Sequence, residues 1–354
     1  MREALKVDMK EILAWIGDEG ITPSALSPFY AEEPAGNRGA KLEAGAMPLV
    51  RVVCDPAASV SARILSAEGV VVTRIYANET GQLLVRHWLD KDGLHNFRPV
   101  QETDIATEAA LRLMLDIEPS RLDFNAELSE AAFCALLGLI DCWRERTLLS
   151  LIDRRPNING SFTTEEVYAA FRRSIGSSDL RWLTPLVQEL YPGNLDVSPS
   201  LFNQGILGLA EKFAGAANGV VKLNLLGEEL CSSLSAPLAA VKLSVHWIKE
   251  GTIREENMLG VRGMGIFCVM EIDEQDPAKV TLQNSSAPMI ELYVHSRLTK
   301  ALRVSKDAEA KKTAAETVSP RTVPSGKTIR FCSQCGQPVK PEHRFCKGCG
   351  KAIA

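Results

Sequence analysis

The chain has 354 residues, 45% of them hydrophobic and 24% charged, with a formal net charge of −4. That composition excludes a globally disordered or collagen-like chain and leaves room for two or three domains. The charge is uneven: residues 304–354 carry ten Lys/Arg against four Asp/Glu, which leaves −10 on the remainder. An acidic body excludes polyanion binding except through the basic tail or a local patch.

The first residues, Met1 to Lys6, are charged and contain no apolar h-region, and no run approaches the ~20 apolar residues that span a membrane. The sequence therefore reads as cytoplasmic, without a membrane partner. Leu5, Met9, Ile12, Leu13 and Ile16 recur at helical spacing and predict a helix over 2–17. A Pro/Ser/Gly-rich loop follows from Gly20 to Gly45. Residues 48–88 read as strands. Val70 to Tyr76 and Leu83-Leu84-Val85 flank the turn Asn78-Glu79-Thr80-Gly81, a hairpin signal. Thr103 is placed to cap a helix to about Asp116, with Ile105, Ala109 and Leu113 on one face.

A helical block covers 129–235. Its first helix opens at Ser129 and carries Phe133, Leu136, Leu137, Ile140 and Trp143. Thr163-Thr164-Glu165-Glu166 is a capping box for a second helix. A third lies within 179–191. Ser198-Pro199 opens a fourth, read to end near Ala214. Asn218-Gly219, a strand-like Val220 to Leu225 and Gly227-Glu228-Glu229-Leu230 follow. Helix, turn, strand and closing helix is the order of a winged helix. The passage Leu223-Asn224-Leu225-Leu226-Gly227-Glu228-Glu229-Leu230 resembles the wing-to-helix step of bacterial winged-helix domains. The helix that would enter a DNA groove offers Asn203, Gln204, Glu211 and Lys212 but no arginine, a poor reader of guanine and phosphate.

Residues 240–300 return to strand patterning, and setting Gly69 over Gly265 suggests a pseudo-repeat of glycine, strand, turn and strand. Val304 to Thr328 is Ala/Lys/Ser/Pro-rich linker, with transient helix over 306–316. The expected fold is α+β. It comprises a mixed N-terminal domain (1–125), a helical winged-helix-like middle (126–236), a β-rich unit (237–303), a flexible linker (304–328) and a C-terminal zinc ribbon (329–354).

The tail carries the sharpest chemical signal. Cys332, Cys335, Cys346 and Cys349 form C-x2-C-x10-C-x2-C, with glycine after each second cysteine. Two such turns facing each other supply four thiolates to a tetrahedral site, which zinc prefers. All four positions are filled, so the zinc is read as structural. Phe331-Cys332-Ser333-Gln334-Cys335-Gly336 with Arg344-Phe345-Cys346-Lys347-Gly348-Cys349-Gly350 resembles the short zinc ribbons at the ends of many bacterial and archaeal proteins, which implies an interaction module. His343, between the knuckles, reads as a surface residue.

Elsewhere no P-loop, G-x-S-x-G or H-E-x-x-H is present. Gly260 to Gly265 reads as a strand connection. His87, His246 and His295 have no partner pattern and read as packing or surface residues. Glu271 to Asp276 reads as a solvated turn. Cys54, Cys134, Cys142, Cys231 and Cys268 sit among apolar neighbours and read as buried hydrophobes. The reading is a non-enzymatic adaptor or scaffold with a protein partner and zinc as its cofactor; partner identity and oligomeric state are not written in the chain. The alternative is a nucleic-acid-associated regulator using the winged helix, or the tail through Phe331, Arg344, Phe345 and Lys347. A third reading comes from Val70 to Arg86, Phe97-Arg98-Pro99-Val100 with the helix after it, and the 265–300 unit. These resemble the EspG-type chaperones of type VII secretion, which implies a secretion chaperone.

Overall fold

The computed structural model describes residues 4–32, 42–66, 69–113, 122–154, 160–191, 195–210, 212–272, 279–316, 330–331 and 338–339. In chain order, β1 (Leu5–Val7), α1 (Met9–Glu19) and α2 (Met47–Cys54) precede a meander of β2 (Ala58–Ser66), β3 (Gly69–Ala77), β4 (Leu84–Leu89) and β5 (His95–Val100). Then come α3 (Glu102–Arg112), β6 (Asn125–Ser129), α4 (Glu130–Ile152), β7 (Ser161–Thr163), α5 (Thr164–Ile175), α6 (Leu183–Leu190) and α7 (Pro199–Leu209). A hairpin of β8 (Ala214–Ala217) and β9 (Val220–Leu223) leads to α8 (Leu225–Leu234). A second meander, β10 (Ala239–Lys249), β11 (Thr252–Gly263), β12 (Ile266–Ile272) and β13 (Lys279–Asn284), ends in α9 (Ala287–Glu316). The tail contributes β14 (Arg330–Phe331) and β15 (Pro338–Val339). The fold is α+β.

Both meanders belong to one antiparallel sheet of ten strands, ordered β1-β5-β4-β3-β2-β10-β11-β12-β13-β6. The order is palindromic about the β2–β10 junction. That junction pairs Ala58 to Ser66 with Trp247 to Ala239, with Ala62 opposite Leu243 at its midpoint. Each meander is followed by a helix, α3 or α9, and both helices share one core on one face of the sheet. Ala106, Ala109 and Leu113 lie there with Ile290, Val294, Leu298 and Ala301, over Val60, Ile64, Val241 and Leu243. The repeat is therefore real as architecture. Its equivalences differ from the glycine alignment, however: β3 corresponds to β11 and β4 to β12, whereas setting Gly69 over Gly265 matched β3 to β12.

The opposite face is covered at its two ends by different units. α1 and α2 close one end over Tyr76, Val85 and Phe97, with Phe29 from the intervening loop. α4 to α8 close the other over Leu65, Ala240, Leu259, Val261 and Met270. The aromatic side chains buried there each stabilise the fold by roughly 1.5–3 kcal/mol through lost water contact.

The helical unit forms where its sequence signals lie. Ser129 caps α4 through the Ala132 amide, and Thr163 and Glu166 exchange the two bonds of a capping box on α5. Ser198 caps α7 ahead of Pro199. The helix read to Ala214 stops at Leu209, because Ala214–Ala217 pairs with Val220–Leu223 across Asn218-Gly219. Both turn residues have positive φ, 51° and 73°, which suits a tight hairpin turn. Four small residues, Ala-Gly-Ala-Ala, carry almost no strand signal of their own.

Three other expectations change. The helix read over 2–17 begins at Met9. Asp8 accepts from the Lys10 amide at 2.7 Å as its N-cap, and Leu5–Val7 instead extends the sheet against β5. Met47–Cys54, read as strand, is a helix with Pro48 in its first turn; a short run that is apolar except at Arg51 cannot distinguish the two periods. The strand pattern assigned through residue 300 stops at Asn284, and α9 continues to Glu316, into the stretch read as linker. The Ala, Lys and Glu residues of 306–316 are good helix formers.

α9 is fastened by a buried carboxylate. Glu256 on β11 is 3% exposed and meets Arg297 at 2.9 Å and Lys300, both from α9. Tyr293 lies under Arg297 and Trp247 under Lys300. Replacing Glu256 with Gln should lower stability by about 2–3 kcal/mol, less than for a fully buried pair because both cations reach solvent. Urea unfolding of the two proteins checks this.

Candidate functional site

Between its two covered ends, the face opposite α3 and α9 carries a strip of polar side chains. They lie there because β2 and β10 alternate. Ser59, Ser61 and Arg63 point one way while Val60, Ala62 and Ile64 point into the α3/α9 core; Lys242, Ser244 and His246 alternate likewise with Val241, Leu243 and Val245. The antiparallel register sets these residues in rows. Arg74, Ser61, Ser244 and Asn257 form one row, and Val72, Arg63 and Lys242 the next. Tyr76, Ser59, His246 and Glu255 form a third.

The strip is internally bonded. Ser244 donates to Asn257 Oδ1 at 2.6 Å. Lys242 and His246 meet Glu255 at 3.3 and 3.5 Å, and Arg63 reaches Glu189 at the end of α6. Burial pushes the Glu255 carboxyl up, but His246 and Lys242 outweigh it and hold the group well below the usual carboxylate range. Val70 and Val72, on the same face of β3, are 54% and 42% exposed. The strip thus combines half-buried Arg63, Arg74 and Lys242, the first and last paired with Glu189 and Glu255, with buried Ser59 and Ser244 and an open apolar margin.

Beside it, under α1 and α2, two histidines are buried together. His87 Nε2 lies 2.9 Å from His95 Nδ1, the rings stacked at 5.1 Å among Phe29, Tyr76 and Phe97. Burial, with His95 and Arg74 adding to it, pulls the His87 pKa down to about 3; burial also lowers His95, opposed by Asp8. Two neutral rings can share one proton, and no third metal-ligating side chain joins them among the described residues.

A pocket of about 200 Å³ opens beside Asp141, Glu145, Arg173, Ser174, Ser177 and Trp182. Asp141 is 1% exposed, and burial raises its pKa. Its oxygens accept from the Leu183 and Thr184 amides at 3.0 and 3.2 Å. It thereby caps α6, whose own N-cap, Trp182, offers no acceptor. Asp141 is a structural acid committed to a helix end. The five cysteines of the body are buried and free. Burial pushes the thiols of Cys54, Cys134, Cys142 and Cys268 up to about 12 and raises Cys231 as well, so none is a ready nucleophile.

The residues singled out by sequence fall as follows. Cys332, Cys335, Cys346 and Cys349 lie outside the described residues, as do His343, Arg344, Phe345, Lys347 and Glu211. Arg330–Phe331 pairs antiparallel with Pro338–Val339. Of the proposed DNA-reading residues, only Asn203 and Gln204 lie on α7. Lys212 follows the helix and donates to the Asn125 carbonyl at 3.3 Å. His295, read at a strand end, is on α9 and meets Glu102 of α3 at 3.0 Å. Gly260 to Gly265, read as a strand connection, is mostly strand: Gly260 to Gly263 end β11, paired with β12, and only Met264 and Gly265 form the turn. The strip was missed, although its signal, three polar residues alternating with β-branched or aliphatic ones, stands twice in the sequence.

No family model matches the chain, and no curated protein matches it. Among solved structures it is similar to the Mycobacterium tuberculosis type VII secretion system chaperone EspG5, determined in complex with a PE25-PPE41 dimer. Identity is 11% over 84% of this chain and 96% of that one, with a TM-score of 0.44. The functional reading therefore rests on this chain's own residues. No helix among the described residues is long and apolar enough to cross a membrane.

The histidine pair makes stability pH-dependent. Both folded pKa values lie below the unfolded value near 6.5, so the unfolded chain binds more protons as pH falls. Stability should be full above about pH 6.5 and decline progressively toward pH 3. A His87→Phe, His95→Phe variant should show a flatter urea midpoint between pH 7 and pH 4.

Proposed function

We propose that this chain is a non-enzymatic, protein-binding adaptor whose body receives a partner segment on the polar strip of the sheet. The supporting observation is the juxtaposition of half-buried Arg74, Ser61 and Lys242 with exposed Val70 and Val72 on a stretch of sheet between two covered ends. Mixed polar and apolar surface of this kind suits a non-obligate protein interface. A secretion-type chaperone with a helical client is the narrower form of the same role that the resemblance to EspG-type chaperones implies.

The tail supplies a second module in this proposal. Its donor set of four cysteine thiolates at knuckle spacing fits zinc and leaves no position open for water or substrate. Cys332, Cys335, Cys346 and Cys349 would hold one ion, which supplies a cross-link and no catalysis. A module of about two dozen residues cannot fold on apolar burial alone, so structural metal is the expected staple. Joining body and ribbon in one chain raises the local concentration of whatever each binds. The nucleic-acid alternative has little support in the winged-helix-like region, because Ser200, Leu201, Asn203, Gln204 and Leu207 on the exposed side of α7 include no cation.

Two measurements test this reading. In nuclease-treated pull-downs from native extract, Val72→Glu with Arg74→Glu should lose the body's protein partner. Urea unfolding of the variant confirms that it is folded, since Arg74 also bonds Tyr76 and faces His87. A partner retained by that variant rules out the strip, and loss of all partners on nuclease treatment favours the nucleic-acid reading. Native mass spectrometry of the full chain should find one zinc, absent from Cys346→Ser, Cys349→Ser; a metal-free wild type would sink the ribbon assignment.

A further inference from the structure

The sheet face beneath α9 holds two buried charges, and they are treated differently. Glu256 has two cations. Arg262, six residues along the same strand and on the same face, is 3% exposed, and its Nε and Nη2 have no hydrogen-bond partner. Its cross-strand neighbours are Ala239 and Phe267, neither of which offers a side-chain acceptor. A guanidinium cannot shed its proton to escape such a position. Leaving it desolvated and unpaired is costly, and the remedy is an anion.

Chain geometry places Arg262 under the first turn of α9. Ser285 donates to the Phe267 carbonyl at 2.8 Å, and the helix starts two residues later. Six strand residues from Glu256 to Arg262 span roughly 20 Å. Counting back from Lys300, which sits over Glu256, the same roughly 20 Å is thirteen helical residues and ends at Ala287. The guanidinium therefore lies near the start of a thirty-residue helix, whose dipole also favours negative charge, although Pro288 brings no amide and the Met289 amide is spent on the Ser286 carbonyl. Water is close by: Met264, two residues on in the turn to β12, is 65% exposed.

We propose that Arg262 and the N-terminal turn of α9 form a binding site for an oxyanion, a carboxylate or phosphate group carried by a ligand. The planar guanidinium holds two oxygens side by side through Nε and Nη2, and the helix terminus neutralises the rest of the charge. The site is on the face opposite the polar strip and is independent of it.

Thermal unfolding of the full chain tests this, with inorganic phosphate or acetate added at an ionic strength held constant by chloride. The wild-type melting temperature should rise by about 2–4 °C once one of the anions reaches about ten times its Kd. Whichever anion acts at the lower concentration identifies the carried group. Arg262→Met should fold without the stranded charge and show no response. If that variant does not fold, Arg262→Lys takes its place and should respond less than wild type, having lost the paired donors. No shift with either anion in wild type, or a response in the variant equal to wild type's, overturns the site.

Discussion

Nine residue pairs between β2 and β10, from Ala58–Trp247 to Ser66–Ala239, hold the two meanders of this chain in one sheet. The rest of the body depends on that junction. Val60 and Ile64 from one meander, with Val241 and Leu243 from the other, floor a single core roofed by α3 and α9 together. Neither meander with its helix can bury its apolar face alone, because half of the floor and half of the roof come from the other. The partners are nearly two hundred residues apart in sequence, so the loop-closure entropy of the helical unit between them must be met before the core rewards it. Slow, cooperative folding follows from that topology.

The helical middle was the most legible part of the chain. Ser129, Thr163, Glu166 and Ser198 are local signals, read and satisfied within four residues of themselves, and each cap stands where its sequence put it. Elements fixed by distant partners were less legible. Leu5–Val7 becomes strand only because β5 presents an edge, and Ala214–Ala217 only because β9 folds back on it. Met47–Cys54 is a helix because Leu49, Val50 and Val53 pack onto the core with Tyr76 and Phe97, a fact absent from its own eight residues.

The candidate sites divide in the same way. The zinc proposal rests on a signal that is complete in the sequence, four cysteines at knuckle spacing. The polar strip required two pieces of information, alternation and register. The alternation of Ser59, Ser61, Arg63 and of Lys242, Ser244, His246 was in the sequence, but it reads equally well as the wet face of any surface strand. The register, which sets Ser61 against Ser244 and Arg63 against Lys242, came only with the fold. Arg262 was hidden for another reason: an arginine in the glycine-rich run Gly260-Val261-Arg262-Gly263 looks like turn material until its burial is seen.

The palindrome of the sheet bears on how anything could sit on the strip. A two-fold through Ala62 and Leu243 exchanges Ser61 with Lys242 and Arg63 with Ser244. Were each pair identical, the surface would look the same after a half-turn, and a docked segment could lie in either of two opposite directions. The exchanges instead set serine against lysine and arginine against serine, so both cations fall in one row and both hydroxyls in the next. Arg74 beside Ser61 likewise has Leu259 beside Lys242 as its counterpart, so the surface does not repeat after a half-turn, and a bound chain would run one way across it.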